Sequence, residues 1–525
     1  MSTEIKYSKV VEKWDVFEVC VQGKKDGNPF VDYVIEAEFT GADKQKKIAG
    51  FYDGDGNYKV RFMPSEAGEY TFQVRGSFSD EVYTGNFLCT APSADNHGSV
   101  KISDCYHFSC EDGTPYYPIG TTCYAWVNQD EAMQEMTLRT LQDSAFNKIR
   151  FCIFPKHYDF NFKDPITFPY KGTPVDYNKI TRENFMEHTA FTNDGKIDGN
   201  DWDFKRFNTE HFKRFDLRID QLRKMGIEAD LILFHPYDRW GFSNMGEEND
   251  ELYLRYIIAR YGAYRNIWWS LANEYDLVMT KTINNWERIA EIIVENDPYQ
   301  HLRSIHNCMD FYDYSKPWIT HCSMQRQDLY KEVELTAKYQ QKYGKPIVWD
   351  EIAYEGNLQY GWGNITGEEM VRRFWEATMR GGYAGHGETL IPTPDYTGEE
   401  KLWWSHGGRL YGESPARLHF LANILKELPN GCRLKAMNHE WDDIAAVLER
   451  PEQEEKGVKD YYLFYYSFMR PSFRMFYLDD TTQFRVDLID TWNMTITFMG
   501  IFKGKFKIPL GMKQYMAVRL QKVEK

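Results

Sequence analysis

Over the first ninety residues apolar and polar positions alternate. Ile35-Glu36-Ala37-Glu38-Phe39 repeats with period two, as do Tyr58 to Phe62 and Tyr70 to Val74, the pattern of strands with one buried face. The turn Asp53-Gly54-Asp55-Gly56-Asn57 separates two of these runs, as antiparallel neighbours require. It superficially resembles a calcium loop. However, its sixth position is Tyr58 where such a loop needs glycine, and its twelfth is Pro64 where it needs a bidentate glutamate. Residues 1–92 are therefore expected to form an N-terminal β-sandwich.

From about 98 to 430 the pattern becomes strand–helix alternation. Apolar runs occur at Pro118–Gly120, Lys148–Ile153, Ala229–Phe234 and Ile267–Trp269, then at Leu302–Ile305, Trp318–Thr320, Ile347–Trp349 and Gly382–Ala384. Eight such runs are what a (β/α)8 TIM barrel of the α/β class demands. Before the third run, Phe212, Phe215, Ile219 and Leu222 recur at spacings of three and four, with Asn208 or Thr209 to cap the start and Gly226 at the end, which predicts a helix. Some fifty residues rich in Asp, Asn, Thr, Pro and aromatics precede it, a length that marks a functional loop on the barrel's catalytic face. Residues 431–525 return to alternation, at Tyr461–Tyr465, Gln483–Leu488 and Tyr515–Val518, and predict a C-terminal β-sandwich.

Two of the barrel runs end on a glutamate. Ile267-Trp268-Trp269-Ser270-Leu271-Ala272-Asn273-Glu274 is one, and Pro346-Ile347-Val348-Trp349-Asp350-Glu351 is the other, 351 − 274 = 77 residues later. Two carboxylates at strand ends suit acid-assisted cleavage of a glycosidic bond, which needs a proton donor for the departing oxygen and a carboxylate beneath the anomeric carbon. Asn273 offers an amide to a sugar hydroxyl near that carbon. Because side chains alternate along a strand, Asp350 is expected to point away from the barrel mouth if Glu351 points into it. Trp268 and Trp269 must likewise differ in facing, one of them at least being packing.

Composition narrows the class. Hydrophobic residues at 42% and charged residues at 27% describe an ordinary globular chain, while aromatics at 16% suit both large cores and sugar-ring platforms. Trp126, Trp403 and Trp404 are the platform candidates. A formal charge of −15 disfavours nucleic-acid and anionic-membrane partners. Met1-Ser2-Thr3-Glu4-Ile5-Lys6 has no apolar signal core, and the nine cysteines are scattered, so a reduced, cytoplasmic protein is expected. The absence of a His-Glu-x-x-His spacing predicts no metal or other cofactor, and no Gly-x-Ser-x-Gly elbow supports a serine hydrolase.

Leu271-Ala272-Asn273-Glu274 near a fourth strand, with Asp350-Glu351 near a seventh, resembles the clan A glycoside hydrolases over roughly residues 100 to 430. That large retaining superfamily includes many cellulases and mannanases. The resemblance implies that Glu274 is the acid/base and Glu351 the nucleophile, with the carboxylates about 5 Å apart. It also implies an arginine near the nucleophile, matched by Arg150, and a sugar-contacting histidine, matched by His235. The three-part layout is similar to bacterial glycosidases related to apiosidases. Cellulase-like members often carry His-x-Tyr at the sixth strand. Here His321-Cys322-Ser323-Met324-Gln325 puts Gln325 in place of the tyrosine that supports the nucleophile. His306, after the fifth strand, and His386 and Glu388, after the eighth, complete the candidate substrate contacts.

The resulting expectation is a retaining glycosidase acting by double displacement on plant- or microbe-derived oligosaccharides, with an exo or short-oligosaccharide mode. A catalytically silent carbohydrate-binding protein and a transglycosidase are the alternatives. The flanking sandwiches either shape the site's rim or mediate homo-oligomerisation.

Overall fold

A computed structural model describes residues 5–41, 44–175, 181, 183–184, 199–326, 328, 330–392, 400–429, 433–437, 444–449 and 459–523. Eight parallel strands form its centre: β1 (Ile119–Thr122), β2 (Lys148–Cys152), β3 (Glu228–Phe234), β4 (Ile267–Ala272), β5 (Leu302–Ser304), β6 (Cys322–Gln325), β7 (Ile347–Glu351) and β8 (Tyr383–His386). They pair in the order β5-β4-β3-β2-β1-β8-β7-β6, and a single parallel bridge, His306 to Ser323, brings β5 and β6 together. The result is a near-closed barrel.

Helices α1 (Glu131–Gln142), α2 (Thr209–Lys224), α3 (Glu247–Tyr261), α4 (Ile283–Asn296), α5 (Thr336–Tyr343) and α6 (Gly367–Met379) lie between strands, and α7 (Trp403–His406) and α8 (Ser414–Lys426) follow β8. Phe212, Phe215, Ile219 and Leu222 form the buried stripe of α2. Asn208 stands at its N-cap, but its amide donates to Phe168 O (2.9 Å) instead of capping the helix. Part of the long segment before α2 lies outside the described residues; the rest includes a hairpin of Tyr170–Thr173 with Asp201–Phe207.

Two departures from regular alternation matter. The run Trp318–Thr320 is a turn, and β6 begins at Cys322. Thr320 Oγ1 accepts from Arg303 N (2.8 Å), and Trp318 Nε1 donates to Glu287 Oε2 (3.3 Å) on α4. The apolar residues are thus used to cover a helix end. Among the described residues no helix joins β5 to β6, so the outer ring is one helix short.

Asp350 does not point away from the barrel. Its carboxylate accepts from Lys148 Nζ (2.8 Å), which also pairs with Asp230 (2.6 Å). Since β2 and β7 are not neighbours, that contact crosses the barrel interior. Trp349 takes the outward position, donating from Nε1 to Thr336 Oγ1 (2.8 Å), which leaves Asp350 inward. Glu351 escapes the alternation at the strand's end, where the register shifts so that Gln325 pairs with Glu351.

The N-terminal segment folds as a four-stranded and a five-stranded sheet around a common core including Phe17, Phe39, Phe62, Phe72 and Phe87. Its Asp53 carboxylate, in the calcium-like turn, accepts from Arg260 of α3 (2.8 Å) and pairs with Lys59 (3.0 Å). At the other end a six-stranded antiparallel sheet and a two-stranded one enclose Phe464, Phe476, Phe484 and Phe506. No helix among the described residues is long and apolar enough to cross a membrane.

Candidate active site

Glu274 and Glu351 line one cavity of about 480 Å³ at the C-terminal mouth of the barrel, together with Tyr124, Lys156, Tyr158, Tyr237, Asn273, Cys308, Gln325, Tyr354, Trp362 and Trp404. Each glutamate reaches it by a backbone irregularity. Glu351 uses the register shift on β7. Glu274 follows β4 in the left-handed region (φ 50°), with the next residue's N–H pinned to His306 O at 2.9 Å. A branched chain of hydrogen bonds ties the two. Arg150 Nη1 donates to Asn273 Oδ1 (2.7 Å), Asn273 Nδ2 donates to Glu274 Oε2 (3.2 Å), and the Tyr124 hydroxyl bonds Glu351 Oε1 while accepting from Arg150 Nη1 at 3.2 Å.

The surroundings treat the two carboxyls oppositely. Burial, and after it the charge of Glu351, raises the pKa of Glu274; hydrogen bonds from Tyr237 and Gln325 and the charge of Lys156 work the other way without prevailing. Burial would raise Glu351 too. There the hydrogen bond and charge of His306, the charge of Arg150 and the Tyr124 hydroxyl prevail and hold it down at about 2. His306 Nε2 stands 3.4 Å from Glu351 Oε1. Behind it Ser323 Oγ donates to Asp350 Oδ2 (2.5 Å), so it can only accept from His306 Nδ1 at 3.1 Å. One carboxyl pushed toward its protonated form beside one held as the anion is a division suited to a site that donates a proton and attacks.

The sequence candidates divide. Arg150, Asn273, His306, Gln325 and Trp404 are brought to the two glutamates or their cavity. Gln325 is corrected in role: its Nε2 donates to Glu274 Oε1 (3.0 Å), and the hydroxyl supporting Glu351 is that of Tyr124. Asn273 lines the cavity while its amide bonds Glu274 and Arg150. Trp126 is fully buried, edge-on to Phe151 in the barrel wall, and Trp403 donates its Nε1 inward to Thr121 Oγ1 (2.8 Å). Neither lines the cavity, and of the successive tryptophans on the α7 turn it is Trp404 that faces it. His235 Nε2 bonds Phe154 O (3.2 Å), and burial pushes its pKa down to about 3, making it a neutral strand-end residue off the cavity wall.

His386 and Glu388 lie off the cavity as well. With Glu355 they form a buried group whose ligand atoms all lie within 4.8 Å of one another, the one such metal-compatible set among the described residues. Its carboxylates are already occupied. Glu388 accepts from Tyr411 N (2.7 Å) and Gly412 N (2.8 Å), and Glu355 from Glu413 N (2.7 Å) and Ser414 N (3.1 Å) at the start of α8. Burial, with the charge of Glu355 behind it, pushes Glu388 up to about 7. Asp276, two residues past Glu274, accepts from three successive backbone N–H groups, Cys308 to Asp310, a loop-holding role.

Sequence reasoning missed Tyr124, Lys156, Tyr158, Tyr237, Tyr354 and Trp362. Tyr124, Lys156, Tyr237 and Tyr354 each sit two to four residues beyond a barrel strand's end, and that offset was the available signal.

The apiosidase-like catalytic-domain model matches residues 103–391, and models of two domains of unknown function match residues 10–77 and 445–521. A solved structure of a putative glycoside hydrolase from Bacteroides vulgatus ATCC 8482 is 34% identical, with 98% of this chain and 100% of that chain covered and a TM-score of 0.86. An endo-1,4-beta-D-mannanase from Thermotoga petrophila RKU-1 is 14% identical over 59% of this chain and 100% of its own, at a TM-score of 0.38. No curated protein matches the chain.

Proposed function

The chain belongs to the apiosidase-like catalytic-domain family and is a glycosidase, and from that premise we propose that it cleaves short oligosaccharides with retention of anomeric configuration. Glu351 attacks the anomeric carbon, forming a glycosyl ester, while Glu274 transfers its proton to the departing oxygen. Glu274, now a carboxylate, takes a proton from water, whose oxygen attacks the same carbon and releases Glu351. Arg150, His306 and Tyr124 hold Glu351 as the anion, Tyr237 and Gln325 orient Glu274, and Trp404 offers a ring face to the sugar. The observation that carries this reading is the opposite electrostatic treatment of two buried carboxyls on one cavity. A cavity of about 480 Å³ suits a few sugar rings better than a long polymer.

The test uses a panel of aryl glycosides with and without azide. Glu274→Ala is expected to lower kcat on the order of 10²–10⁴-fold, with azide restoring turnover as a glycosyl azide of the substrate's own anomeric configuration. Glu351→Ala is expected to abolish turnover, with azide giving the inverted product. Unchanged turnover in both variants, or inversion by the wild type seen by NMR, refutes the mechanism.

A further inference from the structure

The six-stranded sheet of the C-terminal domain has two unlike edges. One edge strand, Arg433–Ala436, is tied back to the rest of the chain, with Arg433 Nη2 donating to Phe108 O (3.3 Å). The other, Thr495–Phe502, pairs only with Phe484–Asp490 among the described residues, so its outer backbone N–H and C=O groups have no strand beside them. Its side chains are exposed as well: Ile496 is 38% exposed, Phe498 53% and Ile501 55%. Arg485 lies over one face of the Phe498 ring (4.8 Å to the centroid) and still leaves it open.

A bare strand edge invites another strand, and proteins ordinarily blunt it with charge, lysine above all, or with proline. The N-terminal five-stranded sheet does so: its edge strand Lys44–Ala49 carries Lys44, Lys46 and Lys47. The C-terminal edge has no such guard. From Thr491 to Phe502 the chain has neither a charged residue nor a proline. The exposed phenylalanines among the described residues, Phe468, Phe473 and Phe498, also all lie in this domain.

We propose that Thr495–Phe502 pairs antiparallel with its own counterpart in a second copy of the chain, about a two-fold axis through Thr497, so that one sheet runs across a homodimer. Each copy carries a formal charge of −15, and a charge-free stretch is where two such copies meet at least electrostatic cost. A foreign partner would find no charge there to recognise. The flanking charges are opposite, Asp490 before the strand and Lys503 after it, and antiparallel pairing turns each Lys503 toward the strand end where the other copy's Asp490 lies. The register follows from the side chains. Pairing with the inner neighbour skips Met499, which leaves Thr495–Phe498 as the regular stretch. Ile496 and Phe498 share one face of it and Thr495 and Thr497 the other. With Thr497 on the axis, Ile496 stands opposite Phe498 and threonine opposite threonine, both favourable cross-strand pairs. The proposal is independent of the glycosidase reading.

Analytical ultracentrifugation of the full chain across micromolar concentrations is expected to show a species of twice the 62.1 kDa chain mass. The double variant Ile496→Lys, Phe498→Lys sets like charges opposite each other across the axis and should raise the dimer dissociation constant on the order of tenfold or more. Thr497→Cys should form a disulfide-linked dimer on mild oxidation, whereas Ile501→Cys, four residues off the axis, and the wild type with its own nine cysteines should not. A wild type that stays monomeric, or that grows into open-ended assemblies, overturns the proposal. So does a dimer that persists in a double variant with a wild-type melting curve, or a dimeric Thr497→Cys that does not cross-link. The wild-type mass and the cysteine variants decide even if the double variant fails to fold.

Discussion

A glutamate in left-handed backbone is uncommon and costs energy, yet Glu274 has φ 50° two residues past the end of a regular strand. That bend frees its side chain from strand alternation and sends it to Tyr237 and Gln325. The neighbouring charge of Glu351 then joins burial in raising its pKa. Replacing Glu351 by Gln should therefore lower the pKa of Glu274 while leaving it above that of an ordinary glutamate, because burial remains. Carboxyl ¹³C NMR titration reads this directly, and an unchanged value would mean that burial alone sets it. By the proposed double displacement, wild-type activity needs Glu351 ionised and Glu274 protonated. The rate should fall on the alkaline side as pH rises through the raised pKa of Glu274, and hold on the acid side until pH nears the depressed pKa of Glu351.

At the scale of elements, the chain Asp350–Ser323–His306–Glu351 joins the ends of β5, β6 and β7, where the barrel is closed by one bridge. Ser323→Ala removes the acceptor that orients His306 and weakens its hold on Glu351. The acid limb of kcat/KM should then move to higher pH, with little change in the alkaline limb; a uniform drop at all pH values would point to a distorted barrel instead. The strands themselves were legible wherever an apolar run is buried on both faces, as in Lys148–Cys152 and Glu228–Phe234. β6 was not, because Trp318 and Ile319 are apolar for the sake of covering a neighbouring helix, while Cys322-Ser323-Met324-Gln325 carries polar residues inward. The same logic separates the site. Glu274 and Glu351 end recognisable strands, whereas Tyr124, Lys156 and Tyr237 sit in loops whose convergence depends on barrel closure, which no local period encodes. His386 and Trp403 misled because a strand end and a tryptophan pair carry no information about which side chain turns to the mouth.

For the whole molecule, the N-terminal sheets and the barrel share a charge network that makes them a single unit. Arg61, buried on a sheet strand, donates to Asp216 of α2 (2.8 Å) and to the backbone of Arg260 (2.8 Å), and Arg260 in turn donates to Asp216 (2.6 Å) and to Asp53 in the turn between two sheet strands (2.8 Å). Truncating one partner strands the others in low dielectric, a loss of about 3–5 kcal/mol. Calorimetry of the wild type is therefore expected to show one coupled transition, and Arg61→Ala should separate it, with the sheets melting before the barrel; a single unshifted transition in the variant would show that apolar contact alone joins them. Burial would raise the pKa of Asp216, but Arg61 and Arg260 outweigh it and hold the group at about 2. A depressed carboxylate pKa stabilises the folded state above the unfolded value of about 3.9. Its contribution should be complete at neutral pH and disappear between about pH 4 and 2. In Arg61→Ala the Asp216 pKa rises toward its unfolded value, so the variant's stability should fall less steeply than the wild type's across that window. Urea unfolding at pH 3 and pH 7 measures the difference, and parallel losses in both proteins would remove Asp216 as the coupling group.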